Sequence, residues 1–307
     1  MNSVEKLGDV KPDKTTSLRF FATHRPFFYA VLVFVVLWSS RVAFYIGPLH
    51  DEAITMLAAK GMERQYADAC ESGRRPFGEV VPALIWHKFT SDYSPLSFGD
   101  VHDDLLARDI HPPLAFWVYN LWLSLFRHGA YQHAVVLSGI EILLAGLVVY
   151  WCLWRLTADR RFAGVGALLL YMSNSALFTA TYIRQYALLS LLVALSLLSI
   201  VLLLEERSTT RRDALYGILL GSMCLAGMLT QYLFAIVTMP LHLGLVLALF
   251  MRRSWRKLVM VLIAYGLGAG VLCLLTPEIF LRAMVATSQS KAAQPARRDA
   301  TLHGRGP

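Results

Sequence analysis

Long apolar runs dominate the chain. They cover residues 27–46, 136–154, 163–181, 186–204, 214–232, 234–251 and 258–275. Each is close to the ~20 residues an α-helix needs to cross a hydrocarbon core ~30 Å thick. None shows the two-residue alternation of a half-buried strand. The pattern predicts an all-α polytopic membrane protein with about seven transmembrane helices. A large polar loop, residues 47–135, separates the first two runs and should contain interfacial helices. Residues 1–26 form a basic tail, and residues 27–276 make up the transmembrane unit. From Ser288 onward large apolar residues almost vanish, so 277–307 reads as a largely disordered tail.

The distribution of Lys and Arg orients these helices. Arg155 to Arg161 holds three basic residues, Arg207 to Arg212 three and Arg252 to Lys257 four. The intervening turns, Tyr182 to Tyr186 and Thr230 to Tyr232, hold only Arg184. The positive-inside rule then puts the N-terminus and the basic loops in the cytoplasm. The stretch 48–135, with eleven acidic residues against seven Lys and Arg, faces the other side. Residues 113–127 (PLAFWVYNLWLSLFR) are apolar enough to compete as a span, but counting them would export the basic loops. They are read instead as an amphipathic helix lying in the interface, with Trp117, Tyr119 and Trp122 at headgroup level. The first run is long and lacks a clean small-residue cleavage site, so it reads as an uncleaved helix.

Composition narrows the class further. Of 307 residues 56% are hydrophobic, and the mean hydropathy of +0.50 lies beyond that of a soluble domain. The net charge of +8 could suit a nucleic acid, but the cations gather at helix ends, where topology accounts for them. Membrane lipids are the expected partners, and nucleic acid is not. Cys152, Cys224 and Cys273 fall inside apolar runs and Cys70 stands alone in the polar loop, which yields no disulfide framework or CxxC metal pair.

The candidate chemistry collects in the outer segments. Asp51 and Glu52 follow the first run behind Gly47-Pro48, and the spacing of Ile54, Leu57 and Ala58 predicts a helix there. Asp51 or His50 could simply cap that helix. Two carboxylates beside a membrane also suit base catalysis, with Asp51 taking a proton from an acceptor hydroxyl or amine. In Asp109-Ile-His-Pro-Pro-Leu114 the prolines make a stiff corner that leads into an interfacial helix and aims the His111 ring. His102, Asp103, Asp104, Asp109 and His111 form a His/Asp patch in which a divalent metal is conceivable, although the spacing matches no specific closed site. Arg184 is a lone cation where topology disfavours one. It either snorkels to headgroups or takes a phosphate bidentately. Arg41 reads as a snorkelling residue and Glu141 as a buried or interfacial acid. Gln231 and Tyr232 occupy another outer turn and could line the same cavity as Arg184.

With these residues in place, the chain resembles the GT-C superfamily of membrane glycosyltransferases. The similar branch holds protein O-mannosyltransferases, lipid A aminoarabinose transferases and related bacterial polyprenyl-phosphate-sugar transferases. Asp51-Glu52 is similar to that family's acidic pair after the first span, His111-Pro-Pro-Leu114 to its HPPL segment, and Arg184-Gln-Tyr186 to its Arg-x-Tyr. Thr230-Gln-Tyr232 resembles a further outer-turn signature. The resemblance implies transfer of a sugar from a polyprenyl-phosphate carrier to a lipid, glycan or protein at the outer face of a bacterial inner membrane. It implies Asp51 as base, Glu52 and His111 as supporting groups, Arg184 as a phosphate contact, and Tyr186 and Tyr232 beside the substrate. Two positions depart from the family: Tyr182 stands where a Glu often precedes the Arg, and Gln132-His-Ala-Val stands where an Arg is common. Relatives are usually longer. A transporter or lipid flippase, and a truncated inactive transferase, are the competing readings.

Overall fold

A computed structural model describes residues 23–44, 49–71, 95–108, 111–126, 129–205 and 209–277. Residues 1–22 and 278–307 of the two expected tails, the Gly47-Pro48 breaker, Asp109 and the side chain of Cys70 lie outside the described residues. Among the described residues all regular secondary structure is helical, with no strand. In chain order the helices are α1 (Arg25–Ala43), α2 (His50–Ala59), α3 (Glu63–Glu71), α4 (Phe98–Arg108), α5 (Leu114–Ser124) and α6 (Ala130–Thr157). They continue as α7 (Arg160–Met172), α8 (Asn174–Thr181), α9 (Tyr186–Leu204), α10 (Thr210–Thr230), α11 (Leu233–Met251) and α12 (Trp255–Leu275).

Six of these, α1, α6, α9, α10, α11 and α12, are long and apolar enough to cross a membrane. The α7–α8 pair qualifies only as one broken segment, bent by 59°. The straight span expected over 163–181 is therefore corrected. Ser173 adopts an extended conformation, with ψ at 136°. Its Oγ accepts from the Ala176 amide at 3.1 Å, so one serine ends α7 and caps α8. The second span also outgrows the predicted 136–154. The helix α6 runs for 28 residues from Ala130, behind Gly129, whose φ of 70° suits a residue without Cβ.

At 11 residues, α5 rises only ~16 Å and cannot span the core. Its aromatic residues do not simply sit at headgroup level. Tyr119 is buried, Trp117 Nε1 donates to Phe98 O at 3.1 Å and Trp122 Nε1 to His133 O at 2.8 Å. The polar ends of these rings are spent on ties within the protein, because α5 turns a side onto α4 and the start of α6.

Three apolar clusters hold the bundle. One joins α1, α6, α7 and α8 around Phe34, Tyr150 and Tyr171. A second joins α9 to α12 around Leu203, Leu220, Leu245 and Val261. The third packs α2, α4, α5 and the start of α6 around Phe116, Leu123 and Ile183. Helices approach closely where small residues meet: a Cβ on Gly221 would stand 2.8 Å from Ala264 O. Without a hydrophobic drive between helices in lipid, such backbone contact supplies much of the attraction.

The basic loops gather at one end of the bundle and are tied to one another. Arg155 at the end of α6 pairs with Glu205 at the end of α9. Lys257 Nζ donates to Leu203 O at 2.8 Å and Glu205 O at 2.7 Å, and Arg252 Nη1 to Leu204 O at 3.0 Å. These cations satisfy the orphan carbonyls of α9 and oppose its negative end. Buried Asp213 of α10 pairs with Arg256 and lies 3.6 Å from Lys257. Just ahead of α1, His24 Nδ1 meets Tyr150 OH at 2.6 Å at this same end. With α7–α8 counted once, the start of α1 and the basic loops share this end of the bundle. Replacing Lys257 with methionine should lower stability by about 2 kcal/mol through its two lost carbonyl bonds. Thermal unfolding of the detergent-purified variant measures it, and an unchanged Tm would show the tie to be incidental.

Candidate active site

The acidic pair sits on the first turn of α2, but its two members have separate jobs. Leu49 occupies the cap position, so neither Asp51 nor His50 caps the helix, correcting that expectation. Glu52 does the capping instead from the third position: its Oε2 accepts from the Leu49 amide at 2.7 Å. Its Oε1 accepts from the Ile183 amide at 2.9 Å, 131 residues away. Glu52 is fully buried and both oxygens bond backbone N–H groups. It is the pin that fixes α2 to the turn between α8 and α9.

Asp51 projects from the same helix turn into solvent. Its Oδ2 accepts from Tyr182 OH at 3.1 Å. The Tyr182 phenol is held protonated by burial first, then by its bond to Asp51, both of which raise its pKa. One turn further along α2, Thr55 Oγ1 donates to Asp51 O at 2.9 Å and accepts from Arg184 Nη1 at 3.1 Å. Three successive residues, Tyr182, Ile183 and Arg184, thus bond three positions of α2. The Arg184 Nε is buried with no hydrogen-bond partner among the described residues. Its neighbour Gln185 is also buried, and among the described residues neither amide atom has a partner.

The turn is braced from behind. Tyr119 OH donates to Arg184 O at 3.3 Å and meets Ser138 Oγ at 2.8 Å. Burial chiefly, and then the carboxylate of Glu141 on α6, push the Tyr119 phenol far above its ordinary range, so it stays a donor. Glu141 itself is buried, with Oε2 unbonded among the described residues. Asn120 ties the end of α2 and the 95–97 segment to α5. Its Oδ1 accepts from Ser97 N at 3.0 Å, and its Nδ2 donates to Ala59 O at 3.0 Å and Pro95 O at 3.1 Å.

The other candidates lie around this junction with different degrees of engagement. His111 stands at the start of α5, its ring 6.5 Å from that of Phe116, behind buried Pro112 and Pro113. Tyr186 opens α9, exposed, its ring nearly parallel to that of Tyr182 at 6.4 Å. Tyr232 is the residue before α11; burial raises its phenol's pKa, and its hydroxyl has no hydrogen-bond partner among the described residues. Arg41, read as a snorkelling residue, makes contacts within the protein. Its Nη1 donates to Asn174 Oδ1 at 3.2 Å and its guanidinium stands 5.6 Å over the Phe178 ring. The His/Asp patch divides. Asp104 is buried and accepts from Glu63 N at 2.7 Å and Arg64 N at 2.8 Å, capping α3, while the His102 ring lies 6.2 Å from Trp117 and Asp103 is exposed. Among the described residues no three His, Cys, Asp or Glu side chains converge as a metal site would require.

Sequence reasoning gave no role in the site to Thr55, Tyr182, Tyr119 or Asn120. Only Thr55 carried a local signal, four residues after Asp51 and so on the same helix side.

No curated protein and no solved structure gives a significant match to the chain. A family model does, over residues 110–280, more than half of the sequence. The match takes in His111, Arg184, Tyr186 and Tyr232. Asp51 and Glu52 precede it and join it through the bonds just described. The chain belongs to the dolichyl-phosphate-mannose-protein mannosyltransferase family and is thus a multi-pass membrane glycosyltransferase of GT-C type, a class that draws sugar from a lipid-phosphate carrier.

Proposed function

We propose that this protein moves a sugar from a polyprenyl-phosphate carrier to a hydroxyl of a lipid, glycan or protein acceptor at the outer face of a bacterial inner membrane. In this reading the N-terminus and the basic loops lie in the cytoplasm, following the charge bias. The supporting observation is the juxtaposition at one junction of an exposed carboxylate and a partly bonded guanidinium. Asp51 is steadied by Tyr182, Arg184 by Thr55, and both sit at the end of the bundle opposite the basic loops.

The chemistry follows from that pairing. The acceptor oxygen attacks the anomeric carbon while Asp51 takes its proton, Oδ2 being held by Tyr182 and Oδ1 facing the acceptor. The bond from the anomeric carbon to the phosphate oxygen breaks, and the lipid phosphate leaves with the electron pair. Negative charge grows on that phosphate, where the guanidinium of Arg184 stabilises it. Glu52 maintains the geometry through backbone bonds, and His111, Tyr186 and Tyr232 line the approach.

Purified protein in liposomes containing polyprenyl-phosphate-linked sugars tests this reading. Sugar transfer to extracted envelope acceptors is expected. Arg184→Lys keeps the charge but loses the planar fork, and the donor KM should rise about tenfold or more. Absence of transfer from every lipid-linked donor in the wild type would sink the proposal.

A further inference from the structure

Phe178, Tyr182 and Tyr186 recur at intervals of four along the end of α8 and the start of α9. Their rings form a continuous row. Phe178 and Tyr182 lie 4.8 Å apart at 35°, Tyr182 and Tyr186 6.4 Å apart at 14°. The row is open: Phe178 is 40% exposed and Tyr186 37%. Arg41 covers the Phe178 end, with its guanidinium over the ring. In the middle, the Tyr182 hydroxyl donates to Asp51. An aromatic surface thus runs directly up to the carboxylate assigned as base.

We propose that this row is a stacking platform for the acceptor, and that the acceptor is a saccharide. The inference rests on the transferase reading above and names the acceptor that reading leaves open. A pyranose has one face of C–H groups and a rim of hydroxyls. Its weakly positive C–H face rests favourably on the negative face of an aromatic ring. A sugar lying on Tyr182 and Tyr186 would turn its rim toward Asp51, where one hydroxyl can give up its proton. A lipid chain has no use for a surface that ends in a carboxylate. A proline-rich peptide also docks on aromatic side chains, but proline brings no hydroxyl to Asp51, whereas a pyranose carries a rim of them. Interfacial tyrosine is common at membrane surfaces, but a belt residue does not require its hydroxyl to hold an acid, as that of Tyr182 does.

The test uses the full chain in lipid nanodiscs and a panel of methyl pyranosides and pyranose trisaccharides of the mannose, glucose and galactose series. Saturation-transfer NMR should show transfer from protein to ring C–H protons of at least one probe. Tyr186→Ala should weaken that binding up to about tenfold, the scale of one lost stacking contact, while Tyr186→Phe keeps the ring and the affinity. With the bound saccharide as acceptor, Tyr186→Ala should raise the acceptor KM and leave the donor KM and the rate at saturation unchanged. The platform is overturned if no probe binds the wild type, if Tyr186→Ala binds equally well, or if the donor KM rises instead, which would put the donor's sugar on the row. Saccharide binding that depends on Tyr186, with no transfer from any lipid-linked sugar, would support the platform and refute the transferase mechanism.

Discussion

Asp51→Asn is expected to cut sugar transfer by about 10²–10⁴-fold, the usual contribution of a positioned general base. The substitution is nearly isosteric, and an amide oxygen can still accept from Tyr182. Asp51 is exposed on the first turn of α2 and bears none of the bonds that join α2 to the α8–α9 turn through side chains other than Tyr182. The expected loss of stability is that of one carboxylate near a helix N-terminus, about 0.3–1 kcal/mol. A variant that unfolds like the wild type, binds donor like the wild type and fails to transfer identifies the base. Undiminished transfer in properly inserted protein rules Asp51 out.

Glu52→Gln, one residue along, should behave differently. Both carboxylate oxygens accept backbone N–H groups in a fully buried position. The amide offers one acceptor and turns its own N–H₂ toward the other donor. An orphaned buried donor costs about 1–3 kcal/mol, and the lost charge adds to this, so destabilisation of about 3 kcal/mol is expected. Transfer should fall with it, because the turn that presents Tyr182 and Arg184 loses its pin. The decisive comparison is between Tm and rate for the two variants. If Glu52→Gln loses activity at wild-type Tm, then Glu52 acts on the substrate and not on the scaffold.

These two side chains also show how far the sequence can be read. Adjacent carboxylates after an apolar run look alike in one dimension. What separates them is helical phase, which buries Glu52 against Ile183 and leaves Asp51 in solvent. The spans were legible because a continuous apolar run of about 20 residues has few alternatives. The break at Ser173 was not, since one hydroxyl barely alters the hydropathy of its run yet caps a new helix. Arg184 was legible as a cation out of place, whereas Tyr182 and Thr55 were not. Their importance lies in contacts with residues 131 and 129 positions away in the chain. Asp104 shows the reverse case. It stands beside His102 and Asp103, where a metal is conceivable from the sequence, and its oxygens accept from the amides of Glu63 and Arg64.

The three-rung join between α2 and the α8–α9 turn works as a ruler. Asp51, Glu52 and Thr55 meet Tyr182, Ile183 and Arg184 in the same order. The distance between Asp51 and Arg184 is therefore set by the rise of one helix turn, not by how the spans lean in the bilayer. One residue inserted between Glu52 and Thr55 would rotate the last rung by ~100° and strip Arg184 of its partner. Spans can be exchanged or lengthened around such a gauge, but the interval from residue 51 to 55 is fixed by geometry before chemistry makes any demand on it.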